Sequence, residues 1–472
     1  MLVRVAALIL ASLALPAADL THRIDEAVDQ SPLARRSFLG IHVVDLRSGK
    51  TLYARNPDRL FLPASNMKLF TSALALEKLG PDYRFVAHLI REAGGNLALV
   101  GSGDPSLNGR IYPYNRDAAP GPPLAAIEEL VDQAVANGLK RVDGDVVGDD
   151  RLYAWESYPP SWTQDDSLHE SGAPVSALSV ADNFVTIAIR PGAQPGDLAS
   201  LTLDPPLEYF EIDNRVRTNA GSGVSAIRVQ RRPGTRQILL SGTISAPVRE
   251  QVAVDDPALY AACALYDSLT RRGVAITGRP MARHRPVDEP YEPPAGETLA
   301  ARTSPPLAQL LETMDKVSEN LHAELLLREA GRVLEGSGSL QAGLKALSEF
   351  IGDKEELRAD DGSGLSRNDL VTPKLITRLL ALMYASSHRD VWMAMLPVGA
   401  NDGTLARRLC CGPQARLIHA KTGTLARSIA LSGYAESRTH GWLAFSILVN
   451  NFAGTGSEVQ AWVDKIALTL TE

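Results

Sequence analysis

Residues 61–80 read FLPASNMKLFTSALALEKLG. Met67, Leu69, Phe70, Ala73, Leu74 and Leu76 leave little room for a polar face, so the stretch predicts a mostly buried helix that opens close to Pro63 or Ser65 and stops at Gly80. Upstream, residues 38–53 (FLGIHVVDLRSGKTLY) hold two apolar runs divided by Arg47-Ser48-Gly49-Lys50, a hairpin signal. A strand pair feeding a buried helix is an α/β opening. The far end of the chain returns to strands in ARSIALSGYA and GWLAFSILVNNF, joined by a polar ESRTH turn. It closes on SEVQAWVDKIALTL, which sets Val459, Trp462, Val463, Ile466 and Leu470 on one side of a helix. The two ends are therefore expected to form one domain with the middle of the chain inserted into it.

That middle differs in character. From about Phe85 to Ala282 short candidate strands (NLALV, DGDVVG, NFVTIAI, AIRVQ, RQILLSGTI) alternate with turns rich in Gly, Pro and Asp. One helix, DDPALYAACALYDSLTRRG, is capped by Asp255 or Asp256 and ended by Gly273. The proline-rich residues 284–306 read as an extended connection, after which LAQLLETMDKVSENLHAELLLREAG and residues 370–385 resume a helical period. The expected division is a signal peptide at 1–18, a first catalytic part at 19–84, a strand-rich insertion of two subdomains at 85–290, and a second catalytic part at 291–472.

The 472 residues are 45% hydrophobic, enough for two or three cores. A net charge of -7 without a basic block argues against nucleic acid as the main partner. Residues 1–18 place one Arg before an apolar run and small residues, the pattern of an export signal. The product is expected in the periplasm or outside the cell, with no stable membrane span. Cys263, Cys410 and Cys411 make no disulfide framework and read as buried or half-buried thiols. The nine histidines form no metal-binding pair, and the acidic doublets Asp149-Asp150, Asp165-Asp166 and Asp360-Asp361 read as turns or caps. Neither a metal nor a cofactor is expected.

Three short patterns carry chemistry. Ser65 and Lys68 lie three residues apart, on one side of a helix, so the amine can act on the proton of the hydroxyl if burial or neighbouring positive charge lowers its pKa. Alone, S-x-x-K is weak, with about one match expected by chance in a chain this long. The second pattern, Lys421-Thr422-Gly423-Thr424, precedes an apolar strand. Its ammonium and hydroxyl suit a carboxylate or assist the serine, Gly423 permits close approach of substrate backbone, and the N–H groups of Ser65 and Thr424 form a candidate oxyanion hole. The third is Ser318-Glu319-Asn320. Ser318 and Asn320 can share a cleft only where the backbone is not a regular helix; Ser318 then passes a proton onward, while Asn320 binds a substrate amide or holds Lys68. Glu319 and Glu324 read as solvated helix charges. Ser366-Arg367-Asn368 has the same form but sits in Gly-rich RADDGSGLSRNDL, which reads as a mobile or sharply turned surface segment. His322 and His419 stand beside these motifs without a defined role. Tyr153, Trp155, Tyr158 and Trp162 form an aromatic cluster expected to pack the insertion against the catalytic unit, with a peptide or glycan platform beside the cleft as the alternative; GAPVSALSVADN likewise reads as structural, with Asp182-Asn183 able to approach the cleft.

Taken in order, SNMK, SEN and KTGT resemble the penicillin-recognising serine enzymes. The chain is more narrowly similar to the D-alanyl-D-alanine carboxypeptidase/endopeptidase family of class C low-molecular-mass penicillin-binding proteins, peptidase family S13. The match rests on FLPASNMKLFTSALAL, GAPVSALSVADN, SENLHAELLL, DGSGLSR and HAKTGTL, and on a separation of Ser65 from Ser318 that exceeds half the chain. The resemblance implies the transpeptidase/β-lactamase fold, an antiparallel sheet with flanking helices and a helical subdomain, carrying a large strand-rich insertion. It implies that Ser65 is acylated by the penultimate D-alanine of a peptidoglycan stem peptide, Lys68 accepts its proton, Ser318 relays a proton to the leaving amine, and Asn320 orients substrate and Lys68. It further implies that Lys421 tunes the charge near Ser318, Thr422 and Thr424 help bind the terminal region, and β-lactams acylate Ser65. Carboxypeptidase and endopeptidase action share one acyl-enzyme, and the motifs do not rank them. A β-lactamase and an inactive wall-binding scaffold are the alternatives.

Overall fold

A computed structural model describes residues 20–472 apart from 222, 233 and 411, so the export signal expected at 1–18 and Cys411 lie outside the described residues. Cys263 is half-buried and Cys410 is exposed, against the expectation of a buried or half-buried thiol there.

The two chain ends meet in one antiparallel sheet. Strands β1 (Phe38–Asp45) and β2 (Thr51–Arg55) are joined by β3 (Ile418–Leu425), β4 (Ser428–Ser437) and β5 (Gly441–Asn450), in the order β3-β4-β5-β1-β2. The closing contact pairs β1 with β5, Phe38 opposite Asn450. Successive side chains of a strand point to opposite faces, and here both faces are covered. Ile429, Leu431, Phe445 and Ile447 enter a core with the helices Leu20–Asp29 and Gly456–Thr469; Ala430, Tyr434, Ala444 and Leu448 enter another on the opposite side. The last helix is fixed by a capping box in which Thr455 accepts from the Glu458 N–H and Glu458 from that of Thr455.

The core on the opposite side is built around helix α1 (Met67–Leu79), in which every residue from Met67 to Leu76 is buried. Around it lie α2 (Leu307–Val317), α3 (Asn320–Glu335), α4 (Leu340–Ile351) and α5 (Pro373–Ala385). Gly80, at φ 86°, ends α1 in a conformation that glycine adopts without steric cost.

Between the halves stands a mixed five-stranded sheet in the order 280–283, 146–149, 97–100, 86–92, 296–303, covered by the helices Ala125–Ala136 and Pro257–Arg271. Two three-stranded sheets enclose a smaller core of Ile187, Ile189, Val216, Ile238, Leu240, Ile244 and Val252. Two expectations change here. Residues Gly296–Thr303 are a strand paired with Val86–Glu92, so the middle sheet closes beyond residue 290 and the stretch 284–306 is not all connection. The helix Ala125–Ala136, with Ile127, Leu130, Val131 and Ala134 buried, is a second helix where one was expected.

Candidate active site

Ser65 lies in a 3-10 turn, Ala64–Asn66, that runs directly into α1. Its side chain is partly accessible, whereas Lys68, one turn on, is 0% exposed. The Lys68 ammonium donates to Ser65 Oγ at 3.1 Å, Asn320 Oδ1 at 2.5 Å and the Ser363 carbonyl at 2.7 Å. Two of these partners can only accept; the serine hydroxyl alone can also donate. A neutral Lys68 therefore keeps both N–H bonds to Asn320 and Ser363 and turns its lone pair on the Ser65 proton. The amide orientation is fixed as well, because Asn320 Nδ2 donates to the Ser171 carbonyl at 2.7 Å. Burial pulls the Lys68 pKa down to about 8, against the opposing pull of the Asp361, Asp315, Glu319 and Glu324 carboxylates.

Ser318 and Asn320 share this cleft because the helix breaks between them. Helix α2 ends at Val317, Ser318 is left-handed at φ 65° and ψ 43°, Glu319 is extended, and α3 starts at Asn320. Lys421 Nζ donates to Ser318 Oγ at 2.8 Å and to the Thr422 carbonyl at 3.1 Å. Asn66 Nδ2 donates to the Lys421 carbonyl at 2.9 Å, tying the serine's turn to β3. Lys421 is 0% exposed, and burial together with the nearby Lys68 charge lowers its pKa, opposed by Asp315. Thr422 Oγ1 donates to Thr404 Oγ1 at 2.8 Å, while the Thr424 side chain is exposed. Gly423 has a packing reason beside the expected approach of substrate: a Cβ there would stand 2.7 Å from the Pro63 carbonyl oxygen and 3.1 Å from Ala64 Cβ.

Three readings of single residues are corrected. The segment holding Ser366-Arg367-Asn368 is sharply turned and exposes Arg367 and Asn368, but its inner part is core, for Asp361, Ser363 and Ser366 are 0% exposed. Asp361 accepts from the backbone N–H groups of Ser363 (3.1 Å), Gly364 (2.6 Å) and Ser366 (2.7 Å), folding the turn that presents the Ser363 carbonyl to Lys68. Glu324 is not solvated: at 0% exposure it pairs with Arg328 at 2.9 Å and accepts from the N–H groups of Gly362 (2.8 Å) and Ser363 (2.9 Å). Glu319, its side chain 15% exposed, pairs with Arg110, which reaches Asp182 at 2.8 Å. His322 Nε2 also meets Asp182, at 3.1 Å, so Asp182 joins the shell behind the S-E-N turn. His419 rests edge-on against Trp442. Of the aromatic cluster, Tyr153 and Trp162 pack against the catalytic unit as expected, with Tyr153 Oη on Glu329 at 3.0 Å and Trp162 Nε1 on Asp361 at 2.8 Å, whereas Trp155 stacks on His284. Among the described residues no group of three or more His, Cys, Asp and Glu side chains could hold a metal.

Sequence reasoning missed Ser363, Asp361, Asp315 and Arg110. DGSGLSR was visible as a pattern, but nothing local says that its carbonyl meets Lys68. Arg110 lies in a stretch with no motif at all.

The five-stranded antiparallel sheet, its flanking helices and the strand-rich middle together define the penicillin-binding-protein class of transpeptidase fold. A solved structure, penicillin binding protein 4 from Haemophilus influenzae, superposes with a TM-score of 0.80 at 22% identity, covering 95% of this chain and 98% of that one. A second structure of that protein, complexed with a β-lactam, gives a TM-score of 0.75 at 21% identity, covering 95% and 98% of the two chains. The chain belongs to the D-Ala-D-Ala carboxypeptidase 3 (S13) family, whose profile matches residues 20–470. Among relatives, a D-alanyl-D-alanine carboxypeptidase of Actinomadura sp. (strain R39) is 34% identical over 95% of this chain and 84% of its own length.

Proposed function

We propose that the protein is a serine D-alanyl-D-alanine carboxypeptidase and D,D-endopeptidase of peptidoglycan stem peptides and cross-links, exported to the periplasm or beyond the cell and acylated by β-lactams. The observation that carries the reading is the contact between Ser65 Oγ and a fully buried Lys68 amine whose other partners are pure acceptors. Family membership and the carboxypeptidase relative support the substrate class.

In this mechanism Ser65 Oγ attacks the carbonyl carbon of the penultimate D-alanine while its proton passes to the neutral Lys68 amine. Negative charge on the carbonyl oxygen is met by the N–H groups of Ser65 and Thr424. As the C–N bond breaks, a proton reaches the leaving amine through Ser318, which Lys421 holds at 2.8 Å. Thr422 and Thr424 bind the terminal region. Water then attacks the ester and restores Ser65, releasing the shortened peptide. When the departing amine is terminal D-alanine the act is carboxypeptidase; when it belongs to a second stem peptide it is endopeptidase.

The test is digestion of purified peptidoglycan fragments, scoring free D-alanine and separated cross-linked dimers. Wild-type protein is expected to release both, and folded Ser65→Ala neither. Activity retained by Ser65→Ala would refute the assignment. Rapid release of intact enzyme from a penicilloyl adduct would point to a β-lactamase instead.

A further inference from the structure

Among the buried acids that the mechanism just described does not use, Asp315 stands nearest in sequence to Ser318. Asp315, in the last turn of α2 and three residues before Ser318, is 0% exposed. Its Oδ2 accepts from Ser72 Oγ at 2.7 Å, and its Oδ1 meets no hydrogen-bond partner among the described residues. Ser72 lies four residues after Lys68 on α1, hence on the same helix face. Ser318, the partner of Lys421, lies one turn beyond Asp315, and the charges of both Lys421 and Lys68 bear on its carboxyl. The adjacent Lys316 does not neutralise it, because that ammonium is engaged by the Leu396 carbonyl at 2.8 Å and Asp402 at 2.7 Å.

A buried carboxylate with a bare oxygen is expensive to keep unless something depends on its charge. Two buried ammonium groups side by side are costlier still. Asp315 changes the balance of the pair: the two amines with this carboxylate carry a net positive charge when both are protonated and none when one is. The singly protonated state is the one that burial favours. It is also the state the reaction needs, with one amine a base and the other a cation.

We propose that Asp315 is a positioning residue of the acylation centre, the buried counter-charge that holds one proton on the Lys68–Lys421 pair while the other amine is free to act as base. This rests on the reading of Ser65 as nucleophile and Lys68 as base. The charged groups facing the chamber are Lys421 from β3, Lys68 from α1 and Lys316 from α2 itself, with Glu319, Glu324 and Asp361 bearing on Lys68 from the far side. Burial holds the Asp315 carboxyl above its ordinary range, with Lys421 the largest of the opposing influences.

The experiment is the pH profile of the acylation rate by benzylpenicillin, followed by mass, for wild type, Asp315→Asn and Ser72→Ala. Removing the carboxylate lowers the affinity of both amines for protons. Both limbs of the Asp315→Asn profile are therefore expected to slide to lower pH by about one unit, so that the variant outpaces wild type on the acidic limb and falls behind it on the alkaline one. Ser72→Ala keeps the carboxylate but removes the donor that favours its charged form, and is expected to shift the profile the same way by less. A variant that only loosens packing would lower the whole curve without moving its limbs. Limbs that stay in place in both folded variants, or in folded Ser72→Ala alone should Asp315→Asn not fold, would overturn the inference. Wild-type protein that benzylpenicillin fails to acylate at every pH would overturn the parent reading and this one with it.

Discussion

In the proposed mechanism Lys68 is the residue on which the chemistry turns, and its cost to the fold is legible in its surroundings. Its pKa is drawn down to about 8 by burial, so between that value and the ordinary lysine range the unfolded chain binds a proton that the folded one does not. Stability should consequently rise with pH across that window. Lys68→Met is expected to raise the urea midpoint at pH 7 while lowering the acylation rate by at least about 100-fold. Paired denaturation and penicillin-labelling curves check it; a variant that is less stable and still labels normally would contradict it. In the wild type the acidic limb of acylation should have its midpoint near pH 8, the value at which Lys68 gives up its proton. At this scale the sequence displayed Ser65, Lys68, Ser318, Asn320 and Lys421 as candidates because each belongs to a short pattern. Asp361 was legible as a turn residue, but its burial and its bearing on Lys68 were not, and Glu324 was misread, because a carboxylate's burial is decided by distant chain and no neighbour in sequence records it.

Elements explain how patterns so far apart converge. The turn at 361–366 is held from inside by Asp361 and Glu324, and its Gly364, at φ 81°, presses on the serine's own turn: a Cβ there would fall 1.9 Å from the Ala64 carbonyl oxygen. Gly364→Ala is expected to destabilise the protein by more than about 1 kcal/mol and to slow acylation, since the turn cannot retreat without moving the Ser363 carbonyl from Lys68. Thermal melts and labelling rates measure both. Across the S-E-N break, Arg110 joins Glu319 to Asp182. Arg110→Gln strands the Glu319 carboxylate and takes one partner from Asp182, which keeps Asn108 and His322, and should cost about 3 kcal/mol, part of it recovered in Arg110→Gln with Glu319→Gln. Additive losses in that cycle would contradict the coupling. Periodicity revealed α1, the hairpin, the last helix and Pro257–Arg271, whose apolar spacing and caps are local. It did not reveal the strand Gly296–Thr303, because a stretch reading GETLAART acquires its strand character only from its partner, Val86–Glu92.

At the scale of the whole molecule the middle of the chain is part of the active site's frame. Ser171 accepts from Asn320 and Trp162 donates to Asp361, so two groups that shape the Lys68 environment are held from the insertion, while Tyr153 donates to Glu329 farther along α3. Trp162→Phe retains the ring's bulk but withdraws the donor from a buried carboxylate. It is expected to slow acylation several-fold with little change in secondary structure, whereas an appendage unconnected to catalysis would leave the rate unchanged. The sequence indicated that a long strand-rich insert separates the first two motifs, and Trp162 stood out in a cluster expected to pack against the catalytic unit; that the insert braces the surroundings of Lys68 through Ser171 was not visible, because Ser171 belongs to no motif. The account as a whole stands on one covalent bond. After benzylpenicillin is added to the folded protein, intact-mass spectrometry and peptide mapping should find one adduct, on the peptide containing Ser65; an adduct confined to another peptide, or none on folded protein, would contradict it.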